Sequence, residues 1–492
     1  MYYLGVDLGT TAVKMLIMNE QGKVERIVSR DYPLYLGDNG HSEQDPKDWW
    51  EAVKDGVKAL VSGFAPDQIR AVSFSGQMHG LVMLDEKDEP IRRAILWNDQ
   101  RTQAQCDELH KTPGRDALIG YTANVALTGF TAPKLLWVKE NEPELFAKIT
   151  KVMLPKDYIS YCLSGVFATD YSDASGTLLL DVQNKRWSAP MLEIVGLTEN
   201  QLPKLYASYE AVGTVRPAIA KELGLSSETK VVIGGGDQAV GAVGTGTVSR
   251  NACSISLGTS GVVFVASDKF KVDRGASALH SFCHATGGYH MMGVTLAAAA
   301  SNKWWVEQVL QTEDYPKEQA PIHELGKNKV YFLPYLSGER TPHNDPYARG
   351  AFVGMTMQTA RAEMTQAVME GVLFSLRDTL TVVQKLGIDV QSTRITGGGS
   401  QSPLWCQMAA DIFNARVEKI NSPEGPAFGA AILAAVGDGR YENVETACGA
   451  LIAVTESFAP SPEAAVRYNR HYEIYKKLYL DLKDTFKDIS AE

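Results

Sequence analysis

Alternating apolar and polar positions open the chain. YYLGVDLG, AVKMLIMNE and KVERIVSRDYPL, divided by the short turns GTT and QGK, predict three strands in an antiparallel meander. The next segment, DPKDWWEAVKDGVKALV, changes period: Asp45 can cap it, Pro46 suits a first helical position, and Trp49, Trp50, Val53, Val57, Leu60 and Val61 share one helical face. IRAVSFSG then returns to a strand, so the order is β-β-β-α-β.

That is the order of a ribonuclease-H-like or actin-like half domain, and the pattern recurs downstream. DLGTTAVKMLIMNEQGKV at 7–24 can be laid over SLGTSGVVFVASDKFKV at 256–272, and VIGGGDQA at 232–239 over ITGGGSQS at 395–402. A strand, turn and strand repeating around the same Leu-Gly-Thr predicts two related halves with a junction near residue 246. Length agrees, since 492 residues exceed what one ordinary core organises. The expected class is mixed α/β. The net charge of −10, with no long Lys or Arg run, argues against nucleic acid as a partner. Six scattered cysteines without a CxxC pair fit a reducing cytoplasm better than disulfides or a thiolate metal site. No apolar run approaches the ~20 residues that span a bilayer, so no membrane association is expected.

Candidate chemistry begins by exclusion. Neither Gly-Lys pair is followed by Ser or Thr, so no Walker A loop is present, and no glycine cluster completes a dinucleotide fingerprint. There remain two hairpin turns, Gly9-Thr10-Thr11 and Gly258-Thr259-Ser260, whose amides and hydroxyls can bind phosphate oxygens. Each alone is equally an ordinary turn; their duplication favours a clamp on a triphosphate. Asp7 precedes the first turn at a strand end, where a carboxylate can hold Mg²⁺. Gly397, Gly398, Gly399 and Ser400 join a strand to a helix and present backbone amides there. GGGDQAVGAVG at 234–244 poses the opposite problem, because Asp237 repels the phosphate that such a loop normally cradles.

Other segments admit two readings. SGQMHG places Met78 and His79 on a loop, and ILWNDQR places Asn98 and Asp99 where they serve either turn geometry or polyol recognition. In HSFCH, His280 and His284 fall on one strand face and Cys283 on the other, which favours packed histidines over zinc. In SGERTP an ion pair between Glu339 and Arg340 competes with a role in a cleft. The small-residue helix GPAFGAAILAAVG suits either tight helix packing or an adenine contact.

The chain resembles the FGGY family of carbohydrate kinases over essentially its whole length, through DLGTTAVK, SGQMHG, AILWND, GFTAPKLLWV, LPKDYI, SDASGT, GGGDQAVGAVG, SLGTSGV, HSFCHA, FLPYLSGERTPHN and TGGGSQSPLWCQMAADI in order. The resemblance implies two actin-like (ribonuclease H-like) ATPase domains flanking a deep catalytic cleft. Residues 1–245 would bind mainly sugar and 246–492 mainly ATP. SGQMHG with LPYLSGERTPHN points to the ketopentose branch and transfer of a phosphoryl group to D-xylulose. Met78, His79, Asn98, Asp99, Asp237 and Gln238 would meet the sugar, with Asp237 as general base. Thr10, Thr11, Lys14, Gly258, Thr259, Ser260, Gly397, Gly398, Gly399 and Ser400 would meet ATP, and Asp7 the Mg²⁺. A homodimer is compatible with the family. A non-catalytic ATP switch would use the same hairpins but has no need of Asp237 or SGQMHG.

Overall fold

The opening meander forms as its pattern demands. Tyr2–Leu8 runs antiparallel to Ala12–Asn19, which pairs antiparallel with Val24–Asp31. A computed structural model describes residues 1–37, 40–275, 279–421 and 425–491. The helix Pro46–Val61 follows, capped by the Asp45 side chain, which accepts from the Lys47 amide. Trp49, Val53, Val57, Leu60 and Val61 are buried on its inner face, whereas Trp50 stays half-buried. Ile69–Gly76 then lies parallel to Tyr2–Leu8 and carries Lys230–Val232 and Gly235–Gly236 on its far side, with Ala211–Thr214 at the edge.

The second sheet repeats the plan. Cys253–Leu257 is antiparallel to Gly261–Ser267 and parallel to Ser392–Thr396. Tyr289–Thr295 and His280–Cys283 extend it on one side, Arg416–Ile420 and Val454–Phe458 on the other. The outer edge of His280–Cys283 is covered by the first half rather than left open. Asn124 exchanges hydrogen bonds of 3.0 and 3.2 Å with the Ser281 backbone, and the Cys283 amide donates to Ser175 Oγ at 3.0 Å.

The helix Gly425–Gly437 leaves the second half in sequence but packs on the first sheet and on the helix Asp237–Gly244. Its small residues serve close packing, one of the two uses the sequence allowed. A Cβ at Gly429 would fall 2.0 Å from the Val240 carbonyl oxygen, one at Gly244 2.0 Å from the Gly425 oxygen, and one at Gly5 1.9 Å from the Ala427 oxygen. Gly429→Val therefore forces two backbones apart, and we expect a loss of at least ~3 kcal/mol in urea unfolding, above the usual overpacking cost because the obstacle is main chain. Gly449→Ala is the control: its Cβ meets nothing within 4 Å, so its midpoint should match or exceed wild type.

Candidate active site

A cleft of about 480 Å³ opens between the sheets. Asp7, Lys14, Asp237 and Gln238 line it from the first half, Gly397, Gly398 and Ser400 from the second. Sheet register explains the first pair, since Asp7 lies opposite Lys14 on one neighbour and Ser75 on the other. Asp237 begins its helix immediately after the Gly235–Gly236 strand. Burial, and then the charge of Asp7, push the Asp237 carboxyl up to about 7, against hydrogen bonds from Gln238 that hold it down. Burial also raises Asp7, and Lys14 opposes that shift.

The glycines before Asp237 serve the sheet and Met78. Gly234 has φ +70°, and a Cβ there would fall 1.9 Å from the Phe74 carbonyl oxygen; at Gly235 it would meet Ser172 Oγ at 2.5 Å, and at Gly236 the Met78 side chain at 2.9 Å. The loop thus brings Asp237 down against the first sheet. In the second half Gly397 (φ +84°) presses on the Leu257 carbonyl, and Gly399 is buried against Leu257 and Trp405. Gly398 meets nothing within 4 Å and opens to the cleft.

The expected sugar residues form a second cluster. Met78 is buried beside Gly236. His79 sits at φ 70° with Nδ1 2.6 Å from the Gly176 oxygen, and its carbonyl accepts from Thr131 Oγ1 and Lys134 Nζ. Burial lowers the imidazole to about 3, so the neutral ring donates from Nδ1 and keeps Nε2 as an acceptor. Asn98 Oδ1 is buried without a hydrogen-bond partner among the described residues. Asp99 departs from the expectation. It is fully buried and its oxygens accept from the Arg101 guanidinium at 2.9 and 2.7 Å and from the Ser42 and Arg101 amides, so the carboxylate holds its own loop.

Both phosphate turns form. Thr10 Oγ1 accepts from Trp97 Nε1 at 3.0 Å and lies 3.2 Å from Gln77 Oε1, while Thr11 and Thr259 are exposed. The Gly258 and Thr259 carbonyls accept from Ala299 and Ala298, which ties the Gly258–Ser260 turn to the following helix. His280 and His284 are packed among aromatic rings. Glu339 forms no ion pair with Arg340. Its carboxylate accepts from Thr295, Ser375 and the Leu296 and Arg340 amides instead.

Residue-type reasoning missed two features. Ser254, Ser256 and Phe264 also line the cleft; strict alternation with buried Cys253, Ile255 and Leu257 was the available signal for the serines. Beneath Gly235 and Gly236, Lys156 Nζ lies 2.5, 3.0 and 3.5 Å from Asp157, Asp170 and Asp173, all fully buried. Asp170 accepts from Ser172 and Ser208, and Ser172 Oγ accepts from the Gly236 amide at 3.2 Å. The network thereby fixes the backbone just before Asp237.

Comparison with known proteins accords with this geometry. Residues 2–244 match the N-terminal domain of the FGGY family of carbohydrate kinases and residues 253–437 its C-terminal domain. The chain is 40% identical to a xylulose kinase of Staphylococcus epidermidis, covering 99% of this chain and 98% of that one. It is 41% identical to a xylulose kinase of Escherichia coli, over 98% and 99%. A crystal structure of a xylulose kinase from Brucella ovis superposes with a TM-score of 0.93 at 37% identity, covering 99% and 100%. A gluconate kinase from Lactobacillus acidophilus superposes with a TM-score of 0.94 at 27% identity, covering 99% of each chain. No helix among the described residues is long and apolar enough to cross a membrane. The fold is the two-domain actin-like ATPase architecture, and the chain belongs to the FGGY family of carbohydrate kinases, enzymes that phosphorylate a sugar-class substrate from ATP.

Proposed function

We propose that this kinase transfers the γ-phosphoryl group of ATP to the terminal hydroxyl of D-xylulose, giving D-xylulose 5-phosphate and ADP. The observation that carries the reading is Asp237 at the floor of a cleft walled by both halves, its carboxyl raised to about 7, in a chain whose relatives of matching length are xylulose kinases. Residues 1–245 supply mainly the sugar site and 246–492 mainly the nucleotide site, save that the helix Gly425–Gly437 braces the Asp237 helix from outside the first half.

A sugar hydroxyl is a weak nucleophile at neutral pH. Asp237 accepts its proton as the oxygen attacks phosphorus in line, and a group with a pKa near the working pH is suited to that task. Gln238, the Nε2 of neutral His79 and the open Oδ1 of Asn98 receive or donate hydrogen bonds to the other sugar hydroxyls, with Met78 as apolar floor. Lys14 and the amides of Gly397, Gly398 and Ser400 face the phosphates and adenosine, and the Gly9–Thr11 and Gly258–Ser260 turns close over them. The charge of Asp7 raises the cost of ionising Asp237 in one cleft, and hard oxygen donors of this kind fit Mg²⁺. Held by Asp7, the ion would neutralise charge on the transferred group.

A coupled ADP-release assay over D-xylulose, D-ribulose, L-rhamnulose, D-gluconate and glycerol tests the assignment. We expect the highest kcat/KM with D-xylulose. A profile led by gluconate or another polyol would overturn the substrate and leave the kinase assignment standing.

A further inference from the structure

The SGERTP segment carries a cation that the mechanism above does not use. Glu339 is tied down on four sides, by Thr295, Ser375 and the Leu296 and Arg340 amides. The following residue, Thr341, is bound both ways to Val294: its amide donates to the Val294 oxygen and its hydroxyl accepts from the Val294 amide, each at 3.0 Å. Arg340 is therefore held rigidly between two anchored neighbours at the end of the Tyr289–Thr295 strand. Two residues back along that strand, Met292 is paired with His280. His280 in turn lies against Phe130 at 5.6 Å between ring centroids, and Phe130 against His79 at 4.7 Å. The chain of contacts runs from the second half straight to the sugar-facing loop of the first.

The Arg340 guanidinium makes no hydrogen bond or ion pair with any described residue, and the residue is half-buried. Its positive charge reaches both His79 and His280, adding to the burial that holds those rings neutral. A half-buried guanidinium without a protein partner keeps its five donors, set in a fixed fork, open to an oxygen-rich ligand. A structural role would have paired it, as Arg101 is paired with Asp99 and Arg361 with Glu318.

We propose that Arg340 is a sugar-binding residue contributed across the cleft by the second half, donating hydrogen bonds to the end of the substrate remote from the transferred phosphoryl group. The direction follows from order along the site. Asp237 takes the reacting hydroxyl, Met78 packs beside Gly236, His79 lies against Gly176 with Met78, and the charge of Arg340 acts on His79 and His280 rather than on Asp237. On the reading of D-xylulose phosphorylated at its terminal hydroxyl, on which this inference rests, the remote end carries the C1 hydroxyl and the C2 carbonyl. Both are acceptors for a guanidinium. The consequence is that the sugar is held by both halves at once, so its affinity depends on their relative placement.

The test compares wild type with Arg340→Met and Arg340→Lys, using steady-state kinetics and calorimetric titration of D-xylulose without nucleotide. Loss of one or two charge-assisted hydrogen bonds should raise KM and Kd for D-xylulose ~30-fold in Arg340→Met, with Arg340→Lys intermediate. KM for ATP should move by no more than ~2-fold, since the uncharged variant loses no nucleotide contact. An unchanged Kd for sugar in a variant with wild-type circular dichroism would overturn the proposal. So would a rise confined to KM for ATP, which would place the guanidinium on the phosphates. Failure of the D-xylulose assignment shows separately, in wild type on the substrate panel, and the Arg340 comparison is then run with the sugar that wild type prefers.

Discussion

Asp237→Asn lowers kcat for sugar phosphorylation by a factor on the order of 10²–10⁴, the contribution of a positioned general base, while ATP still binds. The amide keeps the shape of the carboxylate and its place at the start of the Asp237–Gly244 helix, so the loss falls on proton transfer rather than on folding. The pH profile gives an independent check. As the proposed base Asp237 would work as the anion, and burial with the Asp7 charge holds its pKa up to about 7. Wild-type kcat should therefore climb with pH along an acid limb that ends at or below about pH 7, the lower end applying when a cation at Asp7 offsets the repulsion. The residual rate of the Asn variant should lack that limb. Full sugar phosphorylation by Asp237→Asn would remove the general-base role from Asp237 and leave the kinase assignment standing.

Lys156→Met should produce the largest loss of stability. One ammonium answers three buried carboxylates, of Asp157, Asp170 and Asp173, and removing it leaves charge in the interior without compensation. Breaking a buried pair from one side costs ~3–5 kcal/mol, and here one cation serves three partners. Burial by itself would lower the Lys156 pKa, but the three carboxylates overcome it and raise it, so the ammonium is charged throughout the working range. The sign of the pH dependence is diagnostic. Asp157 and Asp173 have folded pKa values raised first by burial, and without Lys156 they rise further. A carboxyl raised on folding stabilises while protonated and loses that contribution as pH climbs through its folded pKa. The urea midpoint of Lys156→Met should thus be higher at pH 5 than at pH 8; a variant equally stable at both would refute the account. Because Ser172 links the network to the Gly236 amide, kcat should fall even where the variant remains folded.

The reach of the sequence is clearest at particular elements. The strand, Gly-Thr turn and strand at 2–19 and again at 253–267 were legible because alternation and turn chemistry act within a few residues. The Pro46–Val61 helix was legible for the same reason, with cap, first-turn proline and apolar face all local. The partners of Asp99, Arg101 and the Ser42 amide, were not legible because they depend on how a loop folds back on a segment far upstream. The network around Lys156 escaped notice because a lysine and three aspartates spread over eighteen positions carry no periodic signal. Their meaning arises only once burial strips water from them.

The two triple-glycine loops show the division most plainly. Composition set both as places of close backbone approach, but not what is approached. In the first, Gly234 to Gly236 fit against Phe74, Ser172 and Met78 and lower Asp237 to the cleft floor; in the second, Gly397 and Gly399 fit against Leu257 and Trp405 while Gly398 faces the cleft. By itself the sequence determined the duplicated α/β halves, the hairpins and the identity of the ionisable residues, all consequences of local periodicity and side-chain chemistry. Only the tertiary structure decided which carboxylates face each other, that a helix from beyond residue 246 braces the Asp237 helix, and that the Arg340 guanidinium, whose charge acts on His79, has no partner among the described residues, because these depend on distances between residues far apart in the chain and on the exclusion of water between them.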